Sequence, residues 1–106
     1  MSYIDKVKVL LNIEDDLQDK MLGLIEEMTT QHFTAYTGDF GVPDKFDYMI
    51  IEIMIERFNR IGSEGYSKKM LEGLTLEFNQ DDFARFNKIL KREYPSILEN
   101  RGFKML

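Results

Sequence analysis

Three groups of side chains in this sequence are of types that could carry chemistry. Asp15, Asp16 and Asp19 place carboxylates one helical turn apart, the kind of oxygen ligand that Mg²⁺ or Ca²⁺ prefers. His32, the one histidine, is of the type that most often serves as a general base. The third group is a basic run that could contact DNA phosphates: Lys88, Lys91, Arg92, Arg101 and Lys104.

Each group also has an ordinary structural explanation, and the sequence favours that explanation. Acidic residues suit the first turn of a helix and basic residues suit the last, because of the helix dipole. His32 has no Ser, Thr or acid beside it in a recognisable catalytic motif. The chain has no cysteine, no glycine-rich phosphate loop, no HExxH, no DxDxDG loop and no nucleophile elbow. We therefore expect no catalytic residue, no cofactor and no metal site, so the protein is not expected to be an enzyme.

The composition is that of one small globular domain. The 106 residues are 43% hydrophobic and 31% charged, which fits a folded chain rather than a disordered one. No apolar run reaches the length of a membrane span, and the N-terminus does not resemble a secretory signal, so we expect a soluble intracellular protein. The net charge is −5, with −7 on residues 1–58 and +2 on residues 59–106. This asymmetry could steer the protein onto a partner, or could simply reflect two solvated faces.

The apolar spacing predicts an all-α fold, a small bundle of about four helices near 3–11, 15–36, 44–61 and 81–93. Ser2 and Asp5 resemble a capping box at the first helix, and Gly38 can end the second in the left-handed conformation. The third helix is apolar over more than half of its circumference, which predicts a central, buried element. The predicted core positions are Leu10, Leu24, Ile25, Met28, Ile50, Ile53, Met54, Phe58, Phe86 and Leu90.

An extended or hairpin-like excursion is expected over residues 63–79, between the third and fourth helices. Leu74, Leu76 and Phe78 alternate with polar residues at the period of a strand, and a lone strand needs a partner. Gly62 or Gly65 is expected to have positive φ, because the helix must end abruptly there. We divide the chain into a helical domain over 1–94 and a C-terminal tail over 95–106. The tail is expected to be mobile in the free protein.

One stretch at the end of the third helix resembles a known family. The residues are Phe58-Asn59-Arg60-Ile61-Gly62-Ser63-Glu64-Gly65, followed by Ser67, Gly73 and Phe78. Together with the opening Leu-Leu-Asn-Ile and the Val42-Pro43-Asp44 start of the third helix, they resemble the head-tail connector (adaptor) proteins of long-tailed bacteriophages. The resemblance covers about residues 3–94.

The resemblance implies a structural protein of the virion, located at the head-tail interface and in the host cytoplasm before assembly. Such adaptors form a homo-oligomeric ring, dodecameric when assembled, under the portal after DNA packaging. Their partners are the portal protein and a stopper or tail-completion protein, and double-stranded DNA passes through the channel without specific binding. An acidic chain suits this role, because like charge keeps phosphates from adhering.

The residues that we expect at subunit or partner interfaces follow from the resemblance and from their position in the excursion and the tail. They are Arg60, Gly62, Glu64, Gly65, Tyr66, Leu74, Leu76, Phe78, Arg101, Phe103 and Lys104. The alternative from another class is a small helical DNA-binding regulator, which the basic C-terminal half would allow. Against it, the sequence shows no helix-turn-helix with a basic recognition helix, and its longest helices are acidic or apolar.

Overall fold

The structure is a computed structural model that describes residues 2–61 and 78–97. These residues contain no strand and form four α-helices: α1 (Tyr3–Leu11), α2 (Asp19–Thr37), α3 (Asp47–Ile61) and α4 (Asn87–Glu93). Two 3-10 helices, Asp44–Phe46 and Gln80–Phe86, lead directly into α3 and α4. The predicted all-α bundle is therefore confirmed, and the predicted helices 44–61 and 81–93 each consist of a 3-10 part followed by an α part.

The ends of α1 are fixed by local polar contacts. The amide of Asp5 donates to Ser2 Oγ (3.1 Å), and the amide of Ser2 donates to the Asp5 carboxylate (3.4 Å), which confirms the capping box. Asn12 ends the helix in the left-handed conformation, with φ of 59°, and its amide donates to the carbonyls of Lys8 and Val9. The helix therefore begins and ends as the sequence predicts.

The predicted start of α2 at residue 15 is wrong, since the helix begins at Asp19. The Asp15 carboxylate accepts a hydrogen bond from the amide of Leu17 (3.1 Å), a side-chain turn that competes with the helix. The Lys8 ammonium lies between Asp16 (3.1 Å) and Asp19 (2.7 Å) and thereby ties the turn to α1. At the other end, Gly38 closes α2 with φ of 82°, as predicted.

Two predicted core positions, Leu10 and Leu24, are exposed, at 64% and 37% respectively. Leu10 lies away from the side of α1 that buries Val7, and Leu24 lies at the edge of the apolar face of α2. That face is rotated toward Thr29 because α2 packs against both α3 and the 3-10 helix Gln80–Phe86. Met28 and Phe58 are partly buried against the core. The remaining predicted core residues are buried: Ile25, Ile50, Ile53, Met54, Phe86 and Leu90.

The described residues 78–97 pack on the bundle and complete its core. Phe78, Phe83, Leu90 and Ile97 are all buried in the same apolar cluster as the residues of α2 and α3. Ile97 belongs to the predicted tail, and it is only 4% exposed. The predictions about the glycine φ angles, the strand over 74–78 and the tail beyond residue 97 lie outside the described residues, apart from Phe78.

Candidate functional site

The C-terminal end of α3 carries a charged side chain inside the protein. Arg57 is 0% exposed, although its neighbours Met54 and Ile61 on the same helix face are apolar core residues. Its guanidinium donates through Nε (3.1 Å) and Nη2 (2.9 Å) to one carboxylate oxygen of Asp82. It also donates to the carbonyl of Asn79 (3.1 Å) and to Thr29 Oγ1 (3.3 Å). A buried guanidinium is stable only when it is paired and hydrogen-bonded in this way.

Phe78 covers the guanidinium from another side. The Arg57 Cζ lies 4.7 Å from the centre of the Phe78 ring, and the Arg60 Cζ lies 5.7 Å from it. Both distances are within the range of a cation–π contact. Phe78 is itself 2% exposed, so the ring lies between two cations and the core. We call Arg57, Asp82, Thr29 and Phe78 the arginine cluster.

A chain of ion pairs continues from the arginine cluster to the surface. Arg60 contacts Asp82 (3.3 Å) and also Glu56 one turn earlier on α3 (2.7 Å). Glu56 in turn pairs with Arg85 of the 3-10 helix Gln80–Phe86. Two arginines of α3 therefore converge on one carboxylate of the returning chain, and a third arginine reaches back to α3.

Electrostatics keep this cluster charged. Burial alone would raise the pKa of the Asp82 carboxyl, but the hydrogen bonds from Arg60 and Arg57 hold that pKa below its usual value. Burial lowers the pKa of Arg57, while Asp82 opposes this shift, and an arginine remains protonated at any ordinary pH. Burial, followed by the charge of Arg57, also lowers the pKa of His32, so its imidazole is neutral at pH 7. Its Nδ1 is buried and has no hydrogen-bond partner among the described residues.

The arginine cluster holds residues 78–82 against the end of α3. Arg57 donates to the backbone carbonyl of Asn79 and pairs with the side chain of Asp82, while Phe78 packs over its guanidinium. The arrangement holds the chain in one geometry, and it offers no nucleophile with an adjacent base.

Of the predicted site residues, the structure describes Arg60 and Phe78 and brings them into contact, and Arg57 contacts the same Phe78 ring. The others lie outside the described residues: Gly62, Glu64, Gly65, Tyr66, Leu74, Leu76, Arg101, Phe103 and Lys104. Sequence reasoning missed Arg57 and Asp82. One signal was present, because Arg57 stands at helical spacing between Met54 and Ile61 on the apolar face of α3.

The acidic group and the basic group of candidate residues have simple structural roles, or none, in the described chain. Asp16 and Asp19 bind the Lys8 ammonium, and within the described residues no group of three or more His, Cys, Asp or Glu side chains could hold a metal ion. Lys88, Lys91 and Arg92 lie exposed on and around α4. Among the described helices, none combines the length and the hydropathy of a membrane-spanning segment.

Comparison with known proteins gives one clear result. The chain matches the family model described as Phage gp6-like head-tail connector protein over residues 1–93, which end where α4 ends. No similar protein was found among the curated proteins, and no similar chain among the solved structures. The matched residues include all four helices and the whole arginine cluster. Because the match spans most of its length, this chain belongs to the gp6-like family of phage head-tail connector proteins.

Proposed function

We propose that copies of this chain form a dodecameric ring beneath the portal of a long-tailed bacteriophage, where the ring extends the DNA channel and joins head to tail. The observation that carries the proposal is the family match over residues 1–93. The partners are the portal protein on one side and a stopper or tail-completion protein on the other. The chain is made in the host cytoplasm and ends in the virion at the head-tail interface.

The arginine cluster supports a mechanical role. A connector transmits contacts between large assemblies, so its interaction segments need a rigid base. Arg57, Asp82 and Phe78 supply that base, since they hold the chain that follows the segment 62–77 against α3. This segment contains Gly62, Glu64, Gly65, Tyr66, Leu74 and Leu76, the residues that we propose for contacts between subunits.

The charge of the chain suits a channel through which DNA slides. The net charge of −5 repels phosphates rather than binding them. Lys88, Lys91 and Arg92 form a small exposed basic group on α4. The DNA-binding regulator named above as the alternative would need these cations for phosphate contacts, and the family match lends it no support.

The test is a mass measurement of the protein alone and mixed with its cognate portal. Native mass spectrometry of the mixture should show a complex that contains one portal and a fixed, large number of copies of this chain. A portal whose mass is unchanged at high concentrations of this chain would contradict the proposal. A duplex DNA shift of the free protein is the matched control. Tight, salt-sensitive binding would favour the regulator, because counterion release makes phosphate contacts depend on salt.

The tail adds a second, separable element. We expect residues 98–106, with Arg101, Phe103 and Lys104, to become ordered when the portal binds. Ordering a segment on binding costs a few kcal/mol, roughly 2–5, so docked apolar side chains must outweigh that cost. The truncation belongs after Ile97, because this side chain is part of the core. A protein that ends at Ile97, folds normally and still joins portal-bearing heads in full would show that the tail is not the anchor.

A further inference from the structure

Helix α4 presents a basic surface that the described residues do not neutralise. Of its seven residues only Leu90 is buried. Lys88, Lys91 and Arg92 are exposed, and none of them has an ion-pair partner among the described residues. Ile89 stands among them and is 40% exposed. We call these four residues the α4 surface, an apolar side chain surrounded by free cations.

A second, differently charged surface lies where α1 is joined to α2. A groove of about 450 Å³ opens there against the end of α3, with Leu11, Ile13, Leu17 and Phe58 among the residues that line it. Leu17 is 84% exposed, although it is a large apolar residue. Nothing in the described chain covers it.

Carboxylates border this groove and are free to bind a cation. Glu14 and Asp15 are exposed residues of its lining, and neither has an ion-pair partner in the part of the chain that the structure describes. We call this site the α1–α2 groove. It is apolar inside and acidic outside, whereas the α4 surface is apolar at its centre and basic around it.

We propose that the α4 surface of one copy docks into the α1–α2 groove of the next copy, head to tail. In this contact Ile89 enters the groove beside Leu17, while Lys88 and Arg92 meet Glu14 and Asp15. The inference rests on the proposed function, and it names the surfaces that join neighbouring copies of the ring. Charge complementarity identifies the occupant of the groove as a second copy of this chain. The basic α4 surface and the acidic α1–α2 groove are present on every copy at equal concentration.

Two separate surfaces allow a head-to-tail contact. They lie on different elements and share no residue, so each copy can use one surface for each neighbour. An interface between two different surfaces repeats from copy to copy, and it closes into a ring when the rotation between copies allows. Like charges across such a contact are strongly unfavourable, so reversing one surface should abolish it.

The first experiment reverses the charge of each surface in turn. K88E/R92E makes both surfaces acidic, and E14K/D15K makes both basic. Each variant alone should load onto the cognate portal at least about tenfold less well than the wild type. An equal mixture of the two should recover loading, because the acidic groove of one variant accepts the basic α4 of the other, and the reverse. Loading is read as copies per portal by native mass spectrometry.

Matched controls separate an effect of the two surfaces from an effect of the changed net charge. Lys20→Glu and Glu27→Lys change exposed charges on α2, outside both surfaces, and should leave loading unchanged. The thermal midpoint of K88E/R92E should stay near that of the wild type, because both residues are exposed. If E14K/D15K melts earlier because it loses the hydrogen bond from the Leu17 amide to Asp15, E14K alone replaces it as the variant of the groove. Equal loading by the wild type and both reversed variants would overturn the docking but leave the proposed function standing. A wild type that does not load at all would instead refute the proposed function.

The second experiment uses the natural absence of cysteine. The variant L17C/I89C, assembled on the portal and oxidised, should give a ladder of covalent multimers beyond the dimer. L17C alone and I89C alone should stay monomeric, and their mixture should stop at the dimer. A ladder that stops at the dimer for L17C/I89C indicates a two-fold pair and overturns the head-to-tail arrangement. Charge reversal could also abolish portal binding while L17C/I89C gives no cross-link between copies. That result would assign the two surfaces to contacts with the portal, and it would overturn the head-to-tail docking.

Discussion

Two regions hold the returning chain, residues 78–97, on the bundle, and they do so by opposite means. The arginine cluster binds the first part through a buried guanidinium and its acceptors. The second part is held by aromatic rings. Phe33 of α2 lies 5.5 Å from Phe83, 6.1 Å from Phe46 and 6.3 Å from Tyr94, measured between ring centres.

The polar contacts of the aromatic region lie at its margin rather than at its centre. Tyr94 donates a hydrogen bond to Asp39, and Tyr36 donates one to Asn87. The Lys45 ammonium pairs with Glu93 at the surface. In the arginine cluster the order is reversed, with the charge at the centre and Phe78 packed over it.

The two regions make different contributions to the fold. Apolar packing is non-directional, so the aromatic region supplies stability and tolerates changes of similar volume. A guanidinium fork binds only acceptors in a fixed geometry, so the arginine cluster supplies placement at a high cost of desolvation. Arg57, on the last turns of α3, and Phe78 both belong to the region that gives placement. Four measurements test this difference between the two regions.

The largest effect is expected at the centre of the arginine cluster. Arg57→Ala removes the partner of a mostly buried carboxylate and leaves a cavity, so the free energy of unfolding should fall by about 3–5 kcal/mol. Urea unfolding followed by circular dichroism measures this loss. Arg60→Ala is the matched control, since Arg60 pairs with the same Asp82 but is partly exposed, and it should cost about 1 kcal/mol or less. Equal losses in the two variants would contradict a central role for Arg57.

Phe33→Leu probes the aromatic region and should have the next largest effect. The substitution keeps an apolar side chain but loses the contacts of the ring with Phe46, Phe83 and Tyr94, so we expect a loss of about 1–2 kcal/mol. The same urea measurement applies. Leu24→Ala at the edge of the same helix serves as a control and should cost less, because Leu24 is exposed. If Phe33→Leu lowered the free energy of unfolding as much as Arg57→Ala, the aromatic region would be no more tolerant of substitution than the arginine cluster.

Acid should weaken the arginine cluster in particular. The pKa of Asp82 is lower in the folded chain than in the unfolded one, so its stabilisation is complete above the unfolded pKa of about 4 and is lost as the pH falls below that value. The stability difference between the wild type and Asp82→Asn should therefore shrink between pH 5 and pH 3. Unfolding curves at several pH values give this difference, and a constant gap would show that the charge of Asp82 does not matter.

The smallest effect is expected at the surface of the aromatic region. Lys45→Ala removes the ion pair with Glu93, which is about half exposed on both sides, so the loss should be below about 1 kcal/mol and should vanish in high salt. Thermal melts at low and high ionic strength measure it. A loss above 2 kcal/mol would mean that the region depends on this charge pair rather than on its rings.

Local signals in the sequence predicted much of the fold. The capping residues Ser2 and Asp5 fixed the start of α1, and Gly38 fixed the end of α2, because each acts on backbone groups within a few residues. The start of α2 was missed because Asp15 binds the amide of Leu17 instead of opening a helix. Leu24 was misplaced because the direction in which α2 packs depends on a segment that is distant in the sequence.

The pairing of Arg57 with Asp82 could not be predicted from local pattern. Arg57 at the end of an amphipathic helix is usually solvated, and its partner Asp82 lies 25 residues further along the chain. No periodicity connects the two. Among the expected interface residues, Arg60 and Phe78 lie at the cluster, while the remaining ones stay predictions that the charge-reversal, cross-linking and truncation experiments address.

The distance between Arg57 and Asp82 along the chain also bears on synthesis. Translation proceeds at about 5–20 residues per second, so Arg57 is made roughly 1–5 seconds before its carboxylate partner. During that interval α1, α2 and α3 carry an uncompensated cation on the face that must become the core. A chain that ends before residue 82 lacks this carboxylate, so we expect it to leave the Arg57 guanidinium uncompensated and its core open.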